Sequence, residues 1–220
     1  MLFDWAFTLE ILPLLARAAI VTVEATLLGF ALAAPFGLLL AILRMVPGPY
    51  VAPAVTAFIE FIRSTPLLIQ IFYLYFVILP VLNMTPSAFV AGVFALGIHY
   101  GTYCSEVYRA GLENIPRGQW EASIALNLST YRTFRDVILP QALPPVVPAL
   151  GNYLVALFKE TPLLAGISAL ELMSVAKSIG SETFRYNEPI TLVGLFFLAM
   201  SLVSAAIIRF VEYRLNTRYR

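Results

Sequence analysis

Lys159 and Glu160 stand side by side just before Thr161-Pro162, at the end of the 22 uncharged residues Val137–Phe158. Adjacent charges of opposite sign suit a ligand that carries both an ammonium and a carboxylate. The proline also frees backbone carbonyls beside them. The same pair reads equally well as a salt bridge at a surface. Arg63-Ser64-Thr65-Pro66-Leu67-Leu68 repeats four of the six residues of 159–164 at an offset of 96, again with a cation two residues before Thr-Pro. Duplication and chance recurrence of apolar text both account for that. Tyr100, Tyr103, Ser105 and Glu106 close another uncharged run and offer hydroxyls and an acid to a polar route, although tyrosines also suit a membrane-interface belt. Glu24 is a further acid in an apolar stretch, reading either as a pathway group or as a rim residue that reaches water. His99 has no acid near it until Glu106, so it lacks the partner that a catalytic histidine needs.

The elements that must carry these groups follow from composition. Of 220 residues, 60% are hydrophobic and only 12% are charged, and the mean hydropathy is +0.84. Soluble domains average about 45–50% apolar and about 25% charged residues. The chain therefore reads as an integral membrane protein. Fourteen Lys/Arg against 13 Asp/Glu leave no basic excess for nucleic acid. One cysteine, Cys104, and one histidine exclude an intramolecular disulfide and a Cys/His zinc cluster. The only lysines are Lys159 and Lys177, and neither lies in a Gly-x-x-x-x-Gly-Lys-Ser/Thr phosphate loop. Hydrolysis of ATP by that route is excluded, no cofactor is called for, and any energy must come from another subunit.

Uncharged stretches long enough for about 20 helical residues predict five spans, near 18–43, 64–82, 87–105, 137–158 and 189–208, in an all-α chain. A turn at Pro80–Pro86 divides the second from the third, and Gly92 and Gly97 predict close helix approach in the third. Residues 1–17 hold Asp4 and Glu10 without a basic start, so they read as a short amphipathic segment at the outer surface rather than a signal peptide. Five spans place the termini on opposite sides. With the C-terminus inside, the inner segments hold ten Lys/Arg and the outer ones four: Arg17, Lys159, Lys177 and Arg185. Positive charge favours the cytoplasmic side, so the N-terminus is expected outside.

Residues 106–136 do not belong in a membrane. They carry eight charges, and Arg109 and Glu113 are spaced i, i+4. Pro116 and Gly118 break the preceding helix, Gln119–Asn127 reads as two to three helical turns, and Ser129 or Thr130 can cap another short helix that Pro140 interrupts. Glu121-Ala122-Ser123, three residues, Asn127, nine residues and then Val137-Ile138-Leu139-Pro140 resembles the "EAA" loop of ABC importer permeases. The flanks, Gly111–Gln119 and Pro140-Gln141-Ala142, are similar to the polar amino acid branch, as is Arg63–Gln70. Ser123 stands for the second Ala of the pattern. Asn127 stands for its Gly and, after glycine, is the residue that best tolerates a left-handed turn.

The resemblance covers about residues 10 to 215. It implies a type I importer permease of the bacterial inner membrane, with a cytoplasmic coupling loop over 106–140. Gly118, Glu121, Ala122, Ser123 and Asn127 then contact an ATP-binding subunit dimer. The implied assembly adds a second permease chain, identical or homologous, and an external solute-binding protein, all in contact with membrane lipid. The implied cargo is a polar amino acid or a similar zwitterion, compatible solutes such as ectoine among them. Glu24, Arg63, Tyr100, Tyr103, Lys159 and Glu160 are the pathway candidates. The rival reading is a secondary transporter or channel, which calls for several intramembrane acids where only Glu24 is clearly embedded.

Overall fold

The computed structural model describes residues 3–218, with side chains described as far as residue 214. Arg220, counted above among the inner charges, lies outside the described residues. Helix α1 (Trp5–Arg44) starts at Asp4, whose carboxylate accepts the N–H groups of Ala6 and Phe7 at 2.9 and 3.2 Å. It runs unbroken through Pro13 and Pro35 for 40 residues, about 60 Å at 1.5 Å per residue. Residues 5–17 of the separate segment expected over 1–17 are therefore the first part of this helix, and residues 1–2 lie outside the described residues. The reason is tertiary: Ile11, Leu15, Ala18 and Ala19 are buried against α7 (Leu172–Thr183) and α8 (Asn187–Arg218).

The expected span near 64–82 is preceded by another apolar helix. Helix α2 (Val51–Arg63) and helix α3 (Leu67–Val81) form one broken path bent by 104°. Pro66 forces the break, since its ring disfavours helical backbone at Thr65 and it has no N–H to donate. Helix α4 (Ala88–Glu113) is capped by the Ser87 hydroxyl and packs along α1. Glycines of both helices permit that approach: a Cβ on Gly37 would lie 2.6 Å from the Gly101 carbonyl oxygen, and one on Gly97 would lie 3.0 Å from Leu32, while Gly92 gives room to Leu164 of the segment after α6.

Helix α5 (Arg117–Ala125) is the short helix of the charged loop, and Ser129 caps the turn that follows it. Pro140 does not interrupt the chain there. The backbone widens into a π turn over Thr133–Ile138 and continues as α6 (Leu139–Glu160), and a second π turn, Leu74–Ile78, precedes Pro80 in the same way. Widening relieves the clash of a proline ring with the carbonyl four residues earlier. After Glu160 the chain tightens to a 3-10 segment, Thr161–Ile167, and Ser168 turns in the left-handed region. Among the described residues, four helical segments are long and apolar enough to cross a membrane, or five if α2 and α3 make one crossing.

Candidate functional site

The two Thr-Pro breaks meet on α4. Leu67 and Ile71, after the first, share one core with Leu164 and Ile167, after the second. The charges just before the breaks flank a group of aromatic rings. The Tyr100 phenol is 5% exposed and donates to Glu160 Oε2 at 2.8 Å. The Arg63 guanidinium lies 5.0 Å from the centre of the Tyr103 ring, a cation–π distance. Tyr153 on α6 closes the group, with its ring centre 5.5 Å from Tyr103 and 6.4 Å from Tyr100. Among the described residues, Arg63 and Glu160 form no ion pair with each other. A cation and an anion thus share one aromatic wall without neutralising one another.

Gln70 and His99 stand behind the first break. The Gln70 amide donates to the carbonyl oxygens of Ile62 and Thr65 and to the Thr65 hydroxyl, at 2.6, 3.0 and 2.6 Å. Its Oε1 lies 2.9 Å from His99 Nδ1. Tyr153 and Gln70 carry no pathway signal in the sequence, because their relevance depends on which helices meet, and the sequence denies His99 only a catalytic partner. Four of the six candidates converge here: Arg63, Tyr100, Tyr103 and Glu160. Lys159 is exposed and has no ion pair among the described residues, so the adjacent-pair salt bridge is not formed. Glu24 is exposed on α1 beside Ser87, Ser168 and Leu170, in a separate pocket. Ser105 is buried, its hydroxyl donating to the Thr102 carbonyl, and Glu106 pairs with Arg44 and Arg109. Neither belongs to the aromatic group.

The charged loop presents a second surface. Gly118, Glu121, Ala122 and Ala125 are all exposed, at the i, i+3, i+4, i+7 spacing of one helix face. Ile124 and Leu126 beside them are 76% and 72% exposed. Ser123 is the exception. It is 2% exposed, with its hydroxyl donating to the Gln119 carbonyl at 2.8 Å, so it supports the helix from within rather than forming its outer face. Trp120, whose neighbours in sequence give no sign of its partner, packs on Phe134 at 5.4 Å beside Ile115, Ile138 and Ala142. Asn127 takes the left-handed conformation at φ 52°, with the Leu128 N–H donating to the Ser123 carbonyl at 3.0 Å and its own N–H to that of Ile124 at 2.9 Å.

A third polar cluster lies where α1 begins and α7 ends. Arg185 pairs with Asp4 at 3.1 Å, and the Asp4 N–H donates to buried Glu188 at 3.0 Å. The Phe7 N–H, with Arg185 beside it, holds the Asp4 carboxyl below its usual range. Glu171 is wholly buried and accepts the N–H groups of Met173 and Ser174 at the start of α7. Burial pushes its carboxyl up to about 7.

Residues 33–217 match the family described as the binding-protein-dependent transport system inner membrane component. A probable amino-acid ABC transporter permease of Sinorhizobium fredii is 45% identical, over 98% of this chain and 93% of that protein. The glutamine transport system permease of Escherichia coli K12 is 35% identical, over 98% and 99%. A crystal structure described as an amino acid ABC transporter with histidines superposes with a TM-score of 0.90 at 32% identity, over 97% of this chain and 100% of that one. A methionine ABC transporter in an inward-facing conformation shares the fold at 22% identity and a TM-score of 0.69. With the family match spanning most of the chain and relatives aligning nearly end to end, the chain belongs to the inner membrane components of binding-protein-dependent transport systems, the permease subunits that translocate solute while a separate subunit hydrolyses ATP.

Proposed function

We propose that this permease admits a polar amino acid or a similar zwitterion in an ATP-driven importer, along a pathway that passes the Tyr100, Tyr103 and Tyr153 rings. The observation that carries this reading is the placing of Arg63 and Glu160 on that one aromatic wall without mutual pairing. The cation suits the carboxylate of the solute, the anion suits its ammonium, and the rings exclude water so that both attractions are stronger than in bulk solvent. The names of the relatives, amino-acid and glutamine permeases, support the same cargo class.

In this reading the exposed face of α5 docks on one ATP-binding subunit. A second permease chain completes the pathway around a two-fold axis, and a solute-binding protein delivers cargo from outside. The N-terminus is external and the C-terminus cytoplasmic. Arg63 lies at the break between α2 and α3 rather than in an inner loop, which changes the tally from ten against four to nine against four and leaves the bias in place.

The test is reconstitution of the complete transporter in proteoliposomes, followed by uptake from a radiolabelled mixture of L-amino acids with and without ATP. ATP-dependent accumulation that falls in Glu160→Gln while assembly is intact supports the reading. Accumulation without ATP would favour a secondary transporter, and wild-type kinetics in Glu160→Gln would remove Glu160 from the pathway.

A further inference from the structure

At the break between α2 and α3 one side chain reaches backbone carbonyls on both sides of Arg63. The Gln70 NH2 group meets the Ile62 carbonyl at 2.6 Å, the Thr65 carbonyl at 3.0 Å and the Thr65 hydroxyl at 2.6 Å. Ile62 and Thr65 bracket Arg63 in the chain, so Gln70 holds the backbone on both sides of that arginine. The amide cannot turn over, because Oε1 would then face two carbonyl oxygens. Oε1 therefore points to His99, whose Nδ1 at 2.9 Å must carry the proton and donate it. His99 is buried on α4, with its ring centre 5.5 Å from Tyr100 and 5.2 Å from Tyr103. Ring contacts thus join His99 to the aromatic wall, and hydrogen bonds run on from His99 through Gln70 to the turn that carries Arg63.

We infer that Gln70 and His99 are positioning residues, which set Arg63 against Tyr103 and thereby the place where the carboxylate of the solute is held. The inference rests on the proposed role of Arg63 in carrying cargo. Neither residue touches the solute. Loss of either weakens the hold on the 64–66 turn, which is otherwise kept across the 104° bend by Pro66 and by bonds local to it, from the Thr65 hydroxyl to the Phe61 and Ile62 carbonyls and from the Ile69 N–H to the Pro66 carbonyl.

Two measurements test it in the intact transporter. The first reads geometry without any ligand: spin labels on Glu60 of α2 and Ala110 of α4, both exposed, in a Cys104→Ala background. Gln70→Glu keeps the acceptor toward His99 but loses the donors to the carbonyls, His99→Phe removes the donor to Gln70, and His99→Gln retains an N–H donor. A shifted or broadened label distance is expected in the first two, and a return toward the wild-type distribution in His99→Gln. The second reads transport of the radiolabelled amino-acid mixture. KM should rise about tenfold in Gln70→Glu and His99→Phe, the scale of misplacing one charged hydrogen-bonding group, with Vmax within about twofold. An unchanged label distance overturns the inference whatever uptake does, and so does a changed distance with an unchanged KM. If wild type takes up no amino acid, the cargo assignment fails, while the label distance still decides whether Gln70 and His99 hold the turn.

Discussion

The Tyr100 phenol donates to Glu160 Oε2 across the α4–α6 contact, 60 residues apart in sequence and 2.8 Å apart in space. This bond orients the carboxylate whose neighbour Lys159 turns outward to an exposed position. It separates two charges that in sequence look like a natural pair.

Tyr100→Phe removes that donor and leaves the ring stacking in place. Uptake should show a raised KM in Tyr100→Phe and in Glu160→Gln, and the double variant should be less impaired than the product of the two. A coupling energy of about 0.5–3 kcal/mol is expected for side chains in direct contact. Strictly multiplicative effects would show that the bond has no part in handling cargo.

Glu121→Lys reverses a charge on the exposed face of α5. A mismatched, partly buried charge at a protein interface costs on the order of 2–5 kcal/mol, or roughly 30- to several-thousand-fold in affinity. Membrane abundance should be normal, because α5 packs through Trp120 and Ser123 on its other side. Co-purification of the ATP-binding subunit, solute-stimulated ATP hydrolysis and uptake should all collapse together. Full uptake with normal co-purification would mean that another surface couples the subunits.

Gly37→Ala and Gly194→Ala form a matched pair in two long helices. At Gly37 the new Cβ meets Cys104 Cβ and the Gly101 carbonyl, both at 2.6 Å, and the Ser105 nitrogen at 2.9 Å, largely backbone that cannot swing away. At Gly194 nothing lies within 4 Å. Alanine gains roughly 1 kcal/mol of helix propensity in each case. Melting in detergent should therefore show Gly37→Ala clearly destabilised and Gly194→Ala unchanged or slightly more stable. Equal melting temperatures would mean that α1 and α4 are not in close contact.

Glu171 supplies a pH dependence. Burial raises its carboxyl from 4.5 to about 7, against the N–H bonds of Met173 and Ser174 and the Lys177 charge. The folded protein binds this proton more tightly than the unfolded chain does. The contribution to stability is therefore complete below about pH 4.5 and is lost as pH rises through about 7, with a span of at most about 3 kcal/mol. Thermal melts of wild type between pH 5.5 and 8 should decline more steeply than those of Glu171→Gln, which keeps an acceptor and does not titrate. Parallel declines would place the titration elsewhere.

Much of this protein is legible in its sequence. Uncharged runs longer than about 20 residues admit few fates other than crossing a bilayer, since lipid offers backbone groups no partner. The charged stretch 106–136 could not join them, and its Glu-Ala-Ser and Ile-Leu-Pro spacing pointed to a permease loop. Local chemistry was equally readable at Asn127, where a residue that tolerates positive φ stands in a left-handed turn. Tertiary structure decided the rest. It made residues 5–17 part of α1, because their apolar face finds α7 and α8. It turned Ser123 inward, left Glu24 in a separate pocket, and drew Gln70, His99 and Tyr153 to the aromatic wall. Those outcomes depend on which helix faces meet and on how the breaks at Pro66 and Pro162 redirect the chain. Apolar sequence says little about either, because nearly every face of such a helix is apolar and only packing selects among them.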